Sequence, residues 1–409
     1  MIPKAAIVVL GTFDSKPDEL FFLEQRIKQR GFPVLTIHVG TGGPCPLPVD
    51  LDLYGEAFQP KEAGSQDRDE VISKMIARAK AKVRQLYRNG KISGVISAGG
   101  GTGTHLGTSI MRVLPLGVPK VMISTVASRD MSVIVGTKDI TMIHSVADML
   151  GVNSITGKVL DSAAGAICGM VQSKWAPEGQ RKRIALSMFG FVTKGAEKIK
   201  SALEERGYEV VAFHANGTGG MAMEELALEG YFDGILDFAT HELADELKGG
   251  YCAGIGPGRL LPPAGTQIPR LVVPGGLDCA VLEFTRDSVP KEYRDRRIFF
   301  YDFRSAVRLS REETLCLADQ LTDKINRDPR HVRVLIPARG WSEADRQGAP
   351  LYDPELNALF VERLRKDLDR RVVIEEVDFH INDSGFATLA ADTMDRMIKA
   401  NQESTPPPT

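Results

Sequence analysis

The segment Gly99-Gly100-Gly101-Thr102-Gly103-Thr104 carries a clear chemical meaning. Glycines let a backbone approach a ligand closely, and a helix that opens on them presents free N–H groups to an anion. Threonine hydroxyls add donors. Three further segments share this character: Gly11-Thr12-Phe13-Asp14-Ser15-Lys16, Gly40-Thr41-Gly42-Gly43 and Ser124-Thr125. Together they read as a cradle for phosphate. Asp14 is a residue type that holds Mg²⁺ on a polyphosphate, with Lys16 neutralising charge, and Asp139 is a second such acid. The plainer reading of Asp14 is a helix cap. The plainer reading of the glycines is a tight turn, but three in a row with two threonines exceed what packing needs.

The glycine run fits no strict nucleotide fingerprint. No Gly-Lys-Ser/Thr closes it, so it is not a Walker A loop. Counting from Gly101, a G-x-G-x-x-G pattern requires glycine where Leu106 stands. The next strand ends in Ser124-Thr125 and lacks the acid that grips a nicotinamide dinucleotide's ribose.

A second group of ionisable residues lies further on: His214, Glu242, Asp245, Asp278, Arg339, His380 and Asp383. His214, Glu242, Asp278, His380 and Asp383 are the expected acid–base or metal set of a pocket for a small-molecule substrate. The structural alternatives are a strand-end role for His214, shared with His38, and an N-cap role for Asp383. No G-x-S-x-G elbow and no H-E-x-x-H helix is present.

These residues need elements to hold them. Short β-branched runs alternate with longer helical patterns, the mark of parallel sheets covered on both faces. In the first half the strands fall at 5–10, 33–39, 93–98 and 120–124, and the helices at 17–30, 66–89 and 104–114. The stretch 140–171 reads as two further helices rich in Ala, Gly and Met. After a polar linker at 175–183 the pattern restarts, with strands at 184–188, 209–214, 234–238, 270–273, 332–336 and 372–377. Helices are expected at 194–206, 220–229, 311–327, 353–368 and 386–400. In open sheets of this kind ligands sit beyond the carboxyl ends of the strands, which is where the glycine loops fall.

The restart is an internal repeat. Arg30-Gly31-Phe32-Pro33-Val34 parallels Arg206-Gly207-Tyr208-Glu209-Val210, and Gly40-Thr41-Gly42-Gly43 parallels Gly217-Thr218-Gly219-Gly220. Gly94-Val95-Ile96 parallels Gly234-Ile235-Leu236, and Val118-Pro119-Lys120-Val121 parallels Ile268-Pro269-Arg270-Leu271. Segments matching in one order imply duplication. The expectation is an α/β chain of two tandem Rossmann-like, doubly wound parallel-sheet domains, 1–178 and 179–401. The first carries an insertion near 44–65, and 402–409 is a disordered tail.

Composition agrees with a globular enzyme or binding protein. The 409 residues are 43% apolar and 25% charged, and 51 basic against 53 acidic side chains leave a net charge of −2. That balance gives no reason to expect nucleic acid or an anionic membrane as partner. No apolar run reaches the ~18–20 residues of a membrane span. The five scattered cysteines include no C-x-x-C pair, which points to reduced thiols and a cytoplasmic location rather than a disulfide scaffold.

Taken as a set, the Gly11–Lys16 and Gly99–Thr104 loops, Ser124-Thr125-Val126-Ala127-Ser128, Phe213–Gly220, Glu242–Glu246, Pro274-Gly275-Gly276-Leu277-Asp278 and His380-Ile381-Asn382-Asp383 are distinctive. From about residue 5 to 397 the chain resembles the family of ATP-binding proteins related to the N-terminal inhibitory domain of the tomato mosaic virus resistance protein. The resemblance implies two Rossmann-like subdomains, ATP with Mg²⁺ in the first, and a homodimer. It places the nucleotide on Gly11, Thr12, Asp14, Lys16, Gly40, Thr41, Gly99, Gly100, Gly101, Thr102, Gly103, Thr104, Ser124 and Thr125. The resulting expectation is an ATP-binding enzyme of small-molecule metabolism, with phosphoryl transfer its simplest reaction. The alternative is a non-catalytic, ATP-dependent protein-interaction module.

Overall fold

The computed structural model describes residues 5–57, 67–177, 179–261 and 267–403. It divides into two compact units, Met1–Pro177 and Glu178–Thr409. The expected tail falls outside the described residues from 404 on, as does part of the expected insertion, 58–65.

The first unit runs β1 (Ala6–Gly11), α1 (Pro17–Gln29), β2 (Val34–His38), β3 (Leu51–Asp52), α2 (Tyr54–Ala57), α3 (Arg68–Arg88), β4 (Ile92–Gly99), α4 (Gly101–Met111), β5 (Lys120–Ser124), α5 (Ser132–Val135), β6 (Thr141–His144) and α6 (Thr156–Gln172). Its strands form one sheet in the order β3-β2-β1-β4-β5-β6, and every pairing is parallel. The run Ile7-Val8-Val9-Leu10 is wholly buried because helices cover both faces of β1. Helix α3 buries Met75, Ala79 and Val83, four residues apart, and leaves its charged faces to water.

The second unit runs β7 (Arg183–Met188), α7 (Thr193–Glu205), β8 (Glu209–His214), α8 (Thr218–Leu228), β9 (Gly234–Ala239), α9 (Glu242–Lys248), β10 (Arg270–Gly275), β11 (Cys279–Leu282), β12 (Ile298–Phe300), β13 (Ser305–Arg308), α10 (Arg311–Ile325), β14 (Val332–Pro337), α11 (Pro354–Asp367), β15 (Val373–Val377) and α12 (Ser384–Glu403). Its main sheet has the order β8-β7-β9-β10-β14-β15, again parallel throughout. Strands β11, β13 and β12 form a small antiparallel sheet inserted between β10 and β14.

The two sheets share one topology. Counting the five common strands in chain order, each unit reads 2-1-3-4-5. The repeated sequence segments occupy equivalent places: Val34 pairs with Ile7 as Val210 pairs with Ile184. Even a buried cation recurs. Lys120 opens β5 and bonds the carbonyls of Pro115 and Val118 and the Asp139 carboxylate, while Arg270 opens β10 against Glu224 and Asp237.

The expectation of two helices over 140–171 is corrected. Its first part is strand β6 and a loop, and only α6 is a long helix. The Ala/Gly-rich composition of α6 dominates the stretch, whereas Thr141-Met142-Ile143-His144 is a short edge strand too brief to show a period. The antiparallel insert likewise leaves no mark in the sequence, because strands of three or four residues carry little pattern.

Candidate functional site

In a 2-1-3-4-5 sheet the strand order reverses between the first and third strands, and a crevice opens there beyond the carboxyl ends. In the first unit these strands are β1 and β4. The loops that follow them are Gly11–Lys16 and Gly99–Thr104. The register places Gly11 opposite His38 and Gly99 opposite Ser124, so Gly40-Thr41 and Ser124-Thr125 lie on the same edge.

The triple glycine is partly the helix itself. Helix α4 begins at Gly101 with Gly100 as its cap and no side-chain cap. Thr104 donates its amide to the Gly100 carbonyl at 2.8 Å, and no described backbone carbonyl accepts from Gly101, Thr102 or Gly103. The first turn holds no acid. Gly99 is required by close approach, since a Cβ there would stand 2.9 Å from the Gly103 Cα. Gly101 is different: a Cβ there meets nothing within 4 Å. Packing therefore accounts for Gly99 and leaves Gly101 unexplained.

Thr104 and Ser124 do not face this crevice with free hydroxyls. Their oxygens bond one another at 2.7 Å, and Ser124 Oγ also accepts from the Val126 amide at 3.1 Å. They lock α4 to the end of β5. Thr102 Oγ1 accepts from an Arg68 Nη2 at 3.4 Å, which brings a guanidinium to the opening of α4. Nothing in the sequence marks Arg68, since an exposed arginine at a helix start carries no signal of its own.

Asp14 accepts the Gly42 amide at 3.2 Å through Oδ2, while its Oδ1 is buried and has no hydrogen-bond partner. A Cβ on Gly40 would fall 2.5 Å from both carboxylate oxygens, so that glycine makes room for the acid. Asp14 does not cap α1, whose N-cap residue is Lys16. Lys16 donates its ammonium to the Met149 carbonyl. Ser15 donates to Thr12 Oγ1 at 2.8 Å. His38, wholly buried, accepts the Phe13 amide at Nδ1 (3.1 Å) and reaches the Gly43 carbonyl with Nε2 (3.1 Å). It staples the first two loops together.

Asp139 is not brought to this edge. It lies just before β6, at the amino ends of the strands, and its carboxylate pairs with buried Lys120 at 2.6 Å. The expectation that Asp14 and Asp139 share one site is therefore corrected: the two carboxylates lie at opposite ends of the sheet.

The expected acid–base set of the second unit does not assemble. Glu242 is wholly buried and spent: Oε1 accepts the Gly217 amide at 2.8 Å and Oε2 the Arg259 Nε at 2.7 Å. It belongs to a buried network in which Arg259 and Arg270 join Glu224, Asp237 and Glu242. Asp278 accepts the Ser342 hydroxyl at 3.0 Å, and Arg308 Nη1 stands 3.9 Å away. Burial, then the neighbouring Asp345 carboxylate, pushes the Asp278 acid up to about 7. His380 places Nε2 2.9 Å from the Ser342 carbonyl and accepts the Asn382 amide at Nδ1. Ser342 thus touches Asp278 and His380, but its hydroxyl addresses the acid and not the imidazole, so no nucleophile relay exists. Asp383 accepts the His380 amide at 2.8 Å. His214 ends β8 exposed, unlike its buried repeat partner His38. Arg339 is held by Asp378 at 2.7 Å.

His380 and Asp383 do line an open cleft of about 640 Å³, with Lys194, Glu343, Arg346 and Asn382. Both charge signs are present there. Among the described residues no helix is long and apolar enough to cross a membrane.

Fold and sites define a two-unit α/β protein with a bare, glycine-built helix N-terminus at one switch point. The chain belongs to the uncharacterised protein family UPF0261: residues 5–176 match its N-terminal domain and residues 181–398 its C-terminal domain. A UPF0261 protein of Clostridium tetani is 36% identical over 403 residues, covering 96% of this chain and 99% of the relative. One from Mesorhizobium japonicum is 35% identical, covering 95% and 98%. The ToMV resistance protein Tm-1(GCR237) of Solanum lycopersicum is 34% identical over 312 residues, 74% of this chain and 41% of the tomato protein.

Proposed function

We propose that the first unit binds Mg²⁺-ATP, its phosphates on the N-terminus of α4. The observation that carries this reading is the set of amides at Gly101, Thr102 and Gly103, which no described backbone carbonyl accepts, at the switch point of the sheet. Such amides, with the positive end of the helix dipole, form an anion site. Arg68 adds charge at the same place. The orphaned Oδ1 of Asp14 is a hard oxygen ligand of the kind Mg²⁺ takes. A small polar metabolite is the expected occupant of the second unit's cleft, where Lys194 and Arg346 stand beside Glu343 and Asp383. The protein is proposed to act in the cytoplasm and as a homodimer.

The separation of Glu242 and Asp278 into structural networks supports a second reading, a nucleotide-dependent interaction module without turnover. Likeness to a plant resistance protein accords with it.

Calorimetric titration of the native chain and of Gly101→Asp with Mg²⁺-ATP tests the nucleotide site. The new side chain enters open space, so the variant should fold, and its carboxylate should repel the phosphates. We expect saturable binding by the native chain and at least a ~100-fold loss in the variant, about 2.7 kcal/mol. Equal binding by both would remove the phosphates from α4. ADP release with a panel of small polar metabolites then separates enzyme from module.

A further inference from the structure

The second unit fills its own switch point differently. There the crevice lies between β7 and β9, and the loops after them carry Phe189 and His241. By register these stand where the first unit has Thr12 and Gly101. The two rings stack with centroids 3.6 Å apart, so no phosphate can enter. His241 is wholly buried, yet neither Nδ1 nor Nε2 has a hydrogen-bond partner. A buried imidazole with both nitrogens unpaired forfeits a polar group's solvation for nothing in return. Packing does not relieve this, because Phe189 covers only the ring face.

Two further groups with donor atoms, Asp245 and Cys252, stand beside His241. His241 precedes α9 and Asp245 lies four residues on, which puts both on one face of the helix. Gly249 ends α9 in the left-handed conformation, φ 61°, and turns the chain back. The turn brings Cys252 to the same point, and its amide bonds Asp245 Oδ2 at 2.8 Å. Asp245 Oδ1 is fixed by the Val281 amide at 2.7 Å. Each carboxylate oxygen thus keeps a further lone pair while its orientation is set. An imidazole nitrogen, a carboxylate oxygen and the Cys252 sulfur all lie within 4.8 Å of one another, and all three residues are buried.

We propose that His241, Asp245 and Cys252 bind a Zn²⁺ ion. The nitrogen, oxygen and sulfur donors suit a borderline-soft, tetrahedral ion and not Mg²⁺ or Ca²⁺. A thiolate and a carboxylate balance its two charges, so the filled site is neutral in a dry interior. The amides of Val281 and Cys252 act as the outer partners that orient a metal-binding carboxylate. The ion would pin α9 and the turn at 249–252 to the end of β9. This site is independent of the nucleotide reading, which concerns the first unit alone.

The test uses the full chain, stripped of metal by a chelator and titrated with Zn²⁺ and Co²⁺. We expect uptake of about one ion per chain, a higher melting temperature with Zn²⁺, and with Co²⁺ a thiolate charge-transfer band beside intense tetrahedral bands. Cys252→Ser should abolish the charge-transfer band. Cys316→Ser, at an exposed cysteine, should keep it. The proposal is overturned if the stripped native chain takes up no ion, if bound Co²⁺ shows no thiolate band, or if Cys252→Ser retains the band. Should Cys252→Ser fail to fold, the two measurements on the native chain decide alone.

Discussion

Asp278 looks catalytic in the sequence and structural in the fold. A carboxyl raised from about 3.9 to about 7 holds its proton more tightly in the folded than in the unfolded chain. Its contribution to stability is therefore full below about pH 4 and lost as pH rises through 7. Asparagine keeps an acceptor for Ser342 and removes the charge that burial and Asp345 oppose. We expect Asp278→Asn to change stability little at pH 4 and to raise it progressively up to pH 7, by about 1.4 kcal/mol per pH unit and no more than about 4 kcal/mol at pH 8.5, read by urea unfolding. An equal loss at pH 4 and pH 8.5 would assign the ionised acid a favourable role with Arg308. Residue types alone did not show which acids are spent. Glu242 and Asp278 both follow strand ends, as ligand-binding acids do, but their partners Arg259 and Ser342 come from distant segments that no local pattern links to them. The place of Asp14 in the first loop is legible, because its neighbours in sequence are themselves the loop.

At the scale of the element, the β4–α4 turn is the part whose geometry matters. Gly99 allows the turn to close on Gly103, and the Thr104–Ser124 bond fixes the helix against β5. A methyl group at 99 would press on backbone at 2.9 Å, and backbone there can yield only by moving the start of α4. We expect Gly99→Ala to weaken Mg²⁺-ATP binding about tenfold, with a stability loss of only about 1–2 kcal/mol. Calorimetry and denaturant unfolding measure the two effects separately. Unchanged affinity in a destabilised variant would show that the amides are not the ligand's contacts. The long elements were readable because α1, α3, α10 and α12 carry full periods. Strand β6 and the insert β11–β13 were not, since four residues or fewer cannot display an alternation against the helices around them.

The duplication organises the whole molecule and explains the asymmetry of its sites. Each unit offers one crevice at the same topological point. One is built from glycine and threonine, the other is closed by Phe189 over His241. The repeat was visible in sequence because it survives in strands and turns. The loss of the triple glycine from the second copy is visible there too, its equivalent loop being Phe238-Ala239-Thr240-His241-Glu242, but the closing of that crevice by Phe189 over His241 is not, because it rests on which side chain fills a space. Each unit also has its own core: Val8, Leu10, Val95 and Met122 are among the buried residues of the first, Leu236, Val273, Leu335 and Phe386 of the second. Between them the chain passes through exposed Trp175 and a polar stretch, the composition of a domain boundary. All residues assigned to the phosphates lie in the first unit. A fragment of residues 1–177 should therefore unfold cooperatively and bind Mg²⁺-ATP within about tenfold of the full chain, or 1.4 kcal/mol. A fragment of residues 179–409 should bind none. A folded 1–177 fragment that fails to bind, beside a full chain that does, would overturn the assignment of the nucleotide to the first unit alone.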